Sequence, residues 1–274
     1  MYRNLVRSSL VALGFILGAP SAYASVINVD LELIVAIDTS GSVDATDFSL
    51  RRSGIEAAFR DTEVISAIMA GTTGQISVAL WDFGSNVGVA VDWFLISSSA
   101  EANSFADAVA GAGRTSNGSG DGQANMLRQA ATNVAGNGYS GTRVIVDIVS
   151  EGVQSGEGCS YNVAYCQATI DARGTFLAAG GTAVNAIWMN DRDFFGLDAA
   201  DAMNAFVYGS TSVIGGAGAF QVFAETNADF TLAFKNKIIR EVRPPDGVPE
   251  PSALLFIGLG LAGLGALRRK KQTA

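Results

Sequence analysis

The chain has 274 residues, 49% of them hydrophobic and 16% charged, with a formal net charge of −8 and no histidine. Such a length suits one large domain or two small ones with a substantial core. The lack of histidine excludes a Ser-His-Asp triad, a Cys-His pair and any His-ligated metal, and the acidity argues against nucleic acid, which needs a basic footprint.

Residues 1–24 read as a secretory signal. Arg3 and Arg7 precede an apolar stretch from Leu10 to Leu17, then Pro20 and the small-x-small triplet Ala22-Tyr23-Ala24. Leu31 to Ile37 is a continuous apolar run with one Glu, as expected for a strand covered on both faces. "DTSGS" (Asp38 to Ser42) follows. Asp44 to Phe59 reads as a helix capped by Asp44, with Asp47 near its positive end and Phe48, Ile55 and Phe59 on one face. Glu63 to Met69 suggests a second, short helix. Gln75–Trp81 and Val87–Leu95 are strands joined by the turn-rich "DFGSN", which predicts an antiparallel hairpin.

The remainder alternates. Helices are expected at 100–110, 123–134, 169–179, 199–208 and 229–242, and strands at 142–149, 183–189 and 219–224. Residues 111–122 form a Gly/Ser/Asn-rich loop, and 153–166 a polar insertion. Trp81, Trp93 and Trp188 fall in or at the ends of strands and are expected in the core. This pattern predicts an α/β, doubly wound, mostly parallel central sheet with one antiparallel edge strand and helices on both faces. Ligands of such sheets bind beyond the C-terminal strand ends, beside the switch in strand order. Asp38, Ser40 and Ser42 fall there.

One carboxylate and two hydroxyls form an all-oxygen set that suits a hard cation. Gly41 lets the loop fold so that both hydroxyls face one centre. The same residue types also serve a plain turn that caps the next helix. Placed after an apolar strand and before a helix, "DTSGS" resembles the D-x-S-x-S signature of the von Willebrand factor A domain and its metal-ion-dependent adhesion site. "LELIVAIDTSGSVDATDFSLRRSGIEAAFRD" and "SVIGGAGAF" look like motifs of an exported bacterial branch of A-like domains, over roughly residues 30–243.

The resemblance implies that Ser40 and Ser42 coordinate a divalent cation, Mg²⁺ first, with Mn²⁺ or Ca²⁺ as alternatives. Asp38 would bind it directly or through water, and an acidic group of a partner would fill the open position. The family also takes a threonine from a second loop and an aspartate from a third. In "GRTSNGSGDGQAN" the choices are Thr115, Ser119 and Asp121, with Asp121 preferred by its distance from the following helix. In "DIVSEG", Glu151 stands where the family has Asp.

Cys159 and Cys166 form the only cysteine pair, with no third cysteine or histidine to complete a zinc site. In an exported chain they predict a local disulfide. Residues 244–251 read as a stiff linker ending in Pro249-Glu250-Pro251, and residues 252–274 as an apolar helix with the basic end Arg268-Arg269-Lys270-Lys271. This order resembles the PEP-CTERM sorting signal of Gram-negative bacteria. It implies export through the inner membrane, transient membrane attachment by that helix, cleavage by an exosortase, and a surface or extracellular destination. The two ends take six of the 18 basic residues and none of the 26 acidic ones, so the domain of residues 25–243 and its linker carry −14. That charge keeps the domain soluble and attracts cations.

"DTSG" differs from an aspartic protease loop because Ser40 stands in the glycine place, and no second motif supplies the partner carboxylate. "GLGLAG" lies in the apolar tail with no acidic residue after it, so it reads as small residues of a membrane helix rather than a dinucleotide fingerprint. The expectation is a non-enzymatic surface module that holds a cation and binds an acidic protein or exopolysaccharide. The alternatives are a matrix protein with a vestigial site, or a metal-dependent hydrolase.

Overall fold

The computed structural model describes residues 26–116, 118–160, 164–189 and 205–243. The expected signal peptide, Pro-Glu-Pro motif and C-terminal helix lie outside them, as does most of the helix expected at 199–208. No helix among the described residues is long and apolar enough to cross a membrane.

In chain order the elements are β1 (Ile27–Val29), β2 (Leu31–Asp38), α1 (Ala45–Arg60), α2 (Thr62–Met69), β3 (Ile76–Phe83), β4 (Val87–Ile96), α3 (Ser99–Gly111), α4 (Gln123–Asn133), β5 (Tyr139–Gly141), β6 (Val144–Ser150), α5 (Gln167–Ala178), β7 (Ala183–Met189), β8 (Gly215–Gly216), β9 (Gln221–Ala224) and α6 (Asn227–Val242). A π-helical turn, Gly209–Val213, precedes β8. The main sheet runs β4-β3-β2-β6-β7, and β8 and β9 both pair with β7. β2, β3, β6, β7 and β9 are parallel; β4 pairs antiparallel with β3, as the hairpin predicted. β8 adds two antiparallel residues at the other edge.

Strand alternation divides the core in two. Leu31, Leu33, Val35 and Ile37 face α1, α2, α3 and α6, where Phe59, Phe105, Phe230 and Phe234 fill the layer. Ile34 and Ala36 face α4 and α5 with Met126, Leu127 and Phe176. Both faces of β2 are therefore apolar, which is why its sequence reads as an unbroken run. Glu32, near its start, accepts hydrogen bonds from the Gly141 amide (2.6 Å) and Asn137 (2.6 Å), and so ties the short β5 to the sheet.

α1 and α2, which follow β2, pack on one face, and α4, which leads toward β6, packs on the other, so the strand order switches at β2. A crevice opens at that point beyond its C-terminal end. Asp38 is its last residue.

Candidate metal centre

β2 ends with Asp38 fully buried. Its Oδ1 accepts from the Ser40 amide (2.8 Å) and its Oδ2 from the Ser150 hydroxyl (2.7 Å). Thr39 turns the other way. Its amide and hydroxyl donate to the Phe83 carbonyl (2.7 and 3.1 Å), and the hydroxyl also reaches the Ser116 carbonyl (3.2 Å). The alternation inherited from the strand thus sends Asp38, Ser40 and Ser42 to one side. The Ser40 and Ser42 hydroxyls lie 3.2 Å apart. A Cβ on Gly41 would stand 3.3 Å from Ser119 Cα, so the second loop packs closely over this glycine. Asp44 then caps α1, accepting from the Thr46 and Asp47 amides at 2.6 and 2.9 Å.

The second loop is pinned by two arginines. Arg114 donates to the carbonyls of Thr39 (3.2 Å), Val43 (2.9 Å) and Asp44 (3.1 Å). The guanidiniums of Arg114 and Arg52 both lie over the Phe48 ring, 4.8 and 4.9 Å from its centroid. Arg52 also donates to buried Asp82 (2.6 Å), whose other oxygen accepts from the Thr115 amide (2.7 Å) and hydroxyl (2.9 Å). Thr115 is therefore turned toward β3. Asp121 is the second-loop residue whose carboxyl meets Asp38 and Ser40. Its amide donates to Ser155 (2.9 Å), and its carboxylate oxygens would stand 3.3 Å from a Cβ on Gly152. Its Oδ1 is sealed from solvent without a hydrogen-bond partner. Burial, then the Asp38 charge and more weakly that of Glu151, pushes the Asp121 carboxyl up to about 9; the Ser40 hydroxyl pulls the other way.

Glu151 is buried at the end of β6 and pairs with Arg51, whose Nη1 also reaches the Asp38 carbonyl (3.3 Å). The methylene that Glu adds carries this carboxylate toward α1. Arg51, Ser150 and Gln123 were not singled out from the sequence. Arg51 was legible, because Arg51, Ile55 and Phe59 recur every four residues on the buried face of α1. Ser150 and Gln123 carry no such pattern. Gln123 donates to the Gly152 carbonyl (2.9 Å) and accepts from Tyr208 (2.6 Å), which meets Thr169 (2.9 Å). Burial pushes the Tyr208 hydroxyl up, so it remains a donor. This chain of hydrogen bonds supports the third loop from below. Beyond it, Cys159 and Cys166 are joined in a disulfide with Cα atoms 5.4 Å apart.

Two carboxylates and two hydroxyls converge at one point, with one buried carboxylate oxygen lacking a donor. That donor set fits a hard divalent cation. Among the described residues no group of three or more Asp, Glu, Cys or His side chains is arranged to hold a metal, so a cation here would depend on the serine hydroxyls.

The fold and this strand-to-helix loop define a von Willebrand A-type domain. The chain belongs to the family described as "Protein of unknown function (DUF1194)", matched over residues 28–246, which is an A-like family. Residues 247–270 match the PEP-CTERM protein-sorting motif. No curated protein matches. Among solved structures, the pilus adhesin SpaC from Lactobacillus rhamnosus GG is similar at 14% identity and a TM-score of 0.51, over 78% of this chain and 30% of that one. The PilB minor pilin from Streptococcus sanguinis is similar at 13% identity and a TM-score of 0.51, over 80% and 63%. The von Willebrand domain of the pilus tip protein Mfa5 from Porphyromonas gingivalis gives 10%, 0.48, 82% and 99%. The chain thus spans under two thirds of SpaC and PilB, and the likeness concerns the fold.

Proposed function

We propose that the protein is an exported surface module, a binding protein and not an enzyme. Asp38, Ser40, Ser42 and Asp121 would hold a divalent cation, Mg²⁺ before Mn²⁺ or Ca²⁺, and through it an acidic group of a partner. The observation that carries this reading is the convergence of Asp121 on Asp38 and Ser40, with an unpartnered buried oxygen. Two buried carboxylates repel each other, and a cation relieves the repulsion. The third-loop carboxylate of Glu151 is already neutralised by Arg51, so it serves the loop's shape and not the ion. The sorting motif supports export, exosortase processing and a surface destination.

Bound there, a cation would supply a Lewis-acidic point for a carboxylate or uronate. The residues themselves orient it: Ser150 holds Asp38, Gln123 holds the third loop, and Arg114 locks the second loop over the first. The test is adhesion of the purified chain to immobilised alginate and to a polyglutamate surface. Retention in millimolar Mg²⁺, release by EDTA, and loss in S40A/S42A are expected. Equal retention by S40A/S42A would move the function to another face and leave the loop a relic.

A further inference from the structure

A cleft lies beside the edge strand β4, lined by none of Asp38, Ser40, Ser42 and Asp121. α4 and α5 cover the second face of the sheet, yet the edge strand β4 stays open there, with Val89 48% exposed. Between β4 and the C-terminal half of α4 runs a cleft of about 850 Å³, lined by Trp81, Trp93, Tyr139, Asp92, Gln129 and Asn133 among others. Small-molecule clefts measure about 300–1,000 Å³.

The cleft is built by register. Opposite β3, β4 slips between Val78 and Leu80 and again between Leu80 and Trp81. Bulges re-aim side chains. Here they bring two consecutive residues, Asp92 and Trp93, to the same cleft. Trp93 is half-buried, and not a core residue as its strand position suggested. Its indole N–H donates to Asn133 Oδ1 (2.6 Å), which fixes the ring plane. Tyr139 lies 6.2 Å away at 45°, and burial, then the Asp92 charge, raises its hydroxyl pKa. Trp81, 2% exposed, forms the floor.

We infer that this cleft binds a neutral oligosaccharide. A pyranose presents an apolar C–H face, which matches a π face, and a rim of hydroxyls that both donate and accept. The cleft supplies both partners: the Asp92 carboxylate as acceptor, and the amide nitrogens of Asn133 and Gln129 as donors. Its formal charges are one of each sign, and Arg128 is already paired with Glu157 (2.6 Å), so the ligand needs no charge. A proline-rich peptide also stacks on aromatic rings, but it offers carbonyl acceptors and few donors for the Asp92 carboxylate, whose Oδ1 accepts only from the neighbouring Trp93 amide (2.8 Å) among the hydrogen bonds of the described residues. This site is separate from the cation loop and does not require it.

The experiment is a titration of the full chain with cellohexaose, maltohexaose, laminarihexaose and chitohexaose, followed by tryptophan emission, with hexagalacturonate and decaproline as controls. At least one neutral hexaose should bind saturably, with affinity unchanged by EDTA and by S40A/S42A. Trp93→Ala and Tyr139→Ala should each weaken it roughly tenfold or more. Asp92→Ala, at an exposed position, gives a second variant whose fold is not at stake and should also weaken binding. Failure of all four sugars, affinity held within about twofold in all three variants, or saturable binding of decaproline alone would each overturn the assignment.

Discussion

Asp121 sits where burial and two neighbouring acids oppose its ionisation, and its carboxyl is raised to about 9. A raised folded-state pKa means stability that is full at low pH and is lost as pH climbs. The cation-free chain should therefore lose stability through Asp121 from about pH 4 toward pH 9, and D121N should flatten that slope. A cation competes with the same proton, so Mg²⁺-induced stabilisation should grow across this window. Melting curves at about pH 5, 7 and 9, with and without Mg²⁺, check both signs. Arg51 is the complementary case. R51M removes the guanidinium that neutralises the buried Glu151 carboxylate and should destabilise by about 3 kcal/mol, with R51M/E151Q recovering much of it in urea unfolding. The residue scale was partly legible. The alternation of Asp38, Ser40 and Ser42 is a strand period carried into the loop. Asp121 was preferred to Thr115 by its distance from the following helix alone; the Asp82 contact that turns Thr115 away supplies the physical reason, and no sequence pattern announces it.

Among the elements, those with long periodic patterns were readable and the short ones were not. α1 and α6 announce themselves by apolar spacing and caps, and β7 by an apolar run broken only by Asn185. β1, β5 and β8 have two or three residues each, and only pairing with distant segments makes them strands. α1 and α6 meet at Gly54, where an added Cβ would stand 2.7 Å from a Phe230 ring carbon. Gly54→Ala should therefore destabilise by about 1–3 kcal/mol despite its better helix propensity, as thermal unfolding would report. Under α6, Lys237 pairs with both Asp147 and Glu241, and Asn185 donates to Glu241 (2.6 Å). Burial, then the Glu241 charge, pushes the Asp147 carboxyl up to about 7 against the pull of Lys237. Stability from this group is lost as pH rises from about 4 through 7, and D147N should remove that part of the slope.

For the molecule as a whole, the strand and helix order was enough to place the crevice beyond β2, because a parallel sheet has few ways to connect. The cleft beside β4 was invisible in sequence, since it depends on two register slips and on where α4 stops. The disulfide closes the third-loop insertion; C159S/C166S should lower stability by roughly 2–3 kcal/mol on the chain-entropy model, read by urea midpoint. At the far end, alanines in place of Pro249-Glu250-Pro251 should leave the tail uncut in the exporting cell, which a mass measurement of the exported product would reveal.

The cation proposed at the "DTSGS" loop and Asp121 can be tested by its effect on stability. Titrating Mg²⁺, Mn²⁺ and Ca²⁺ into the purified chain while following the melting temperature tests it most directly, with S40A/S42A as control. A ligand at 100 times its dissociation constant adds ~2.7 kcal/mol, or roughly 5–10 °C for a domain of this size. That rise is expected in the wild type alone; no rise up to millimolar metal, or the same rise in the double variant, would overturn the proposed cation site.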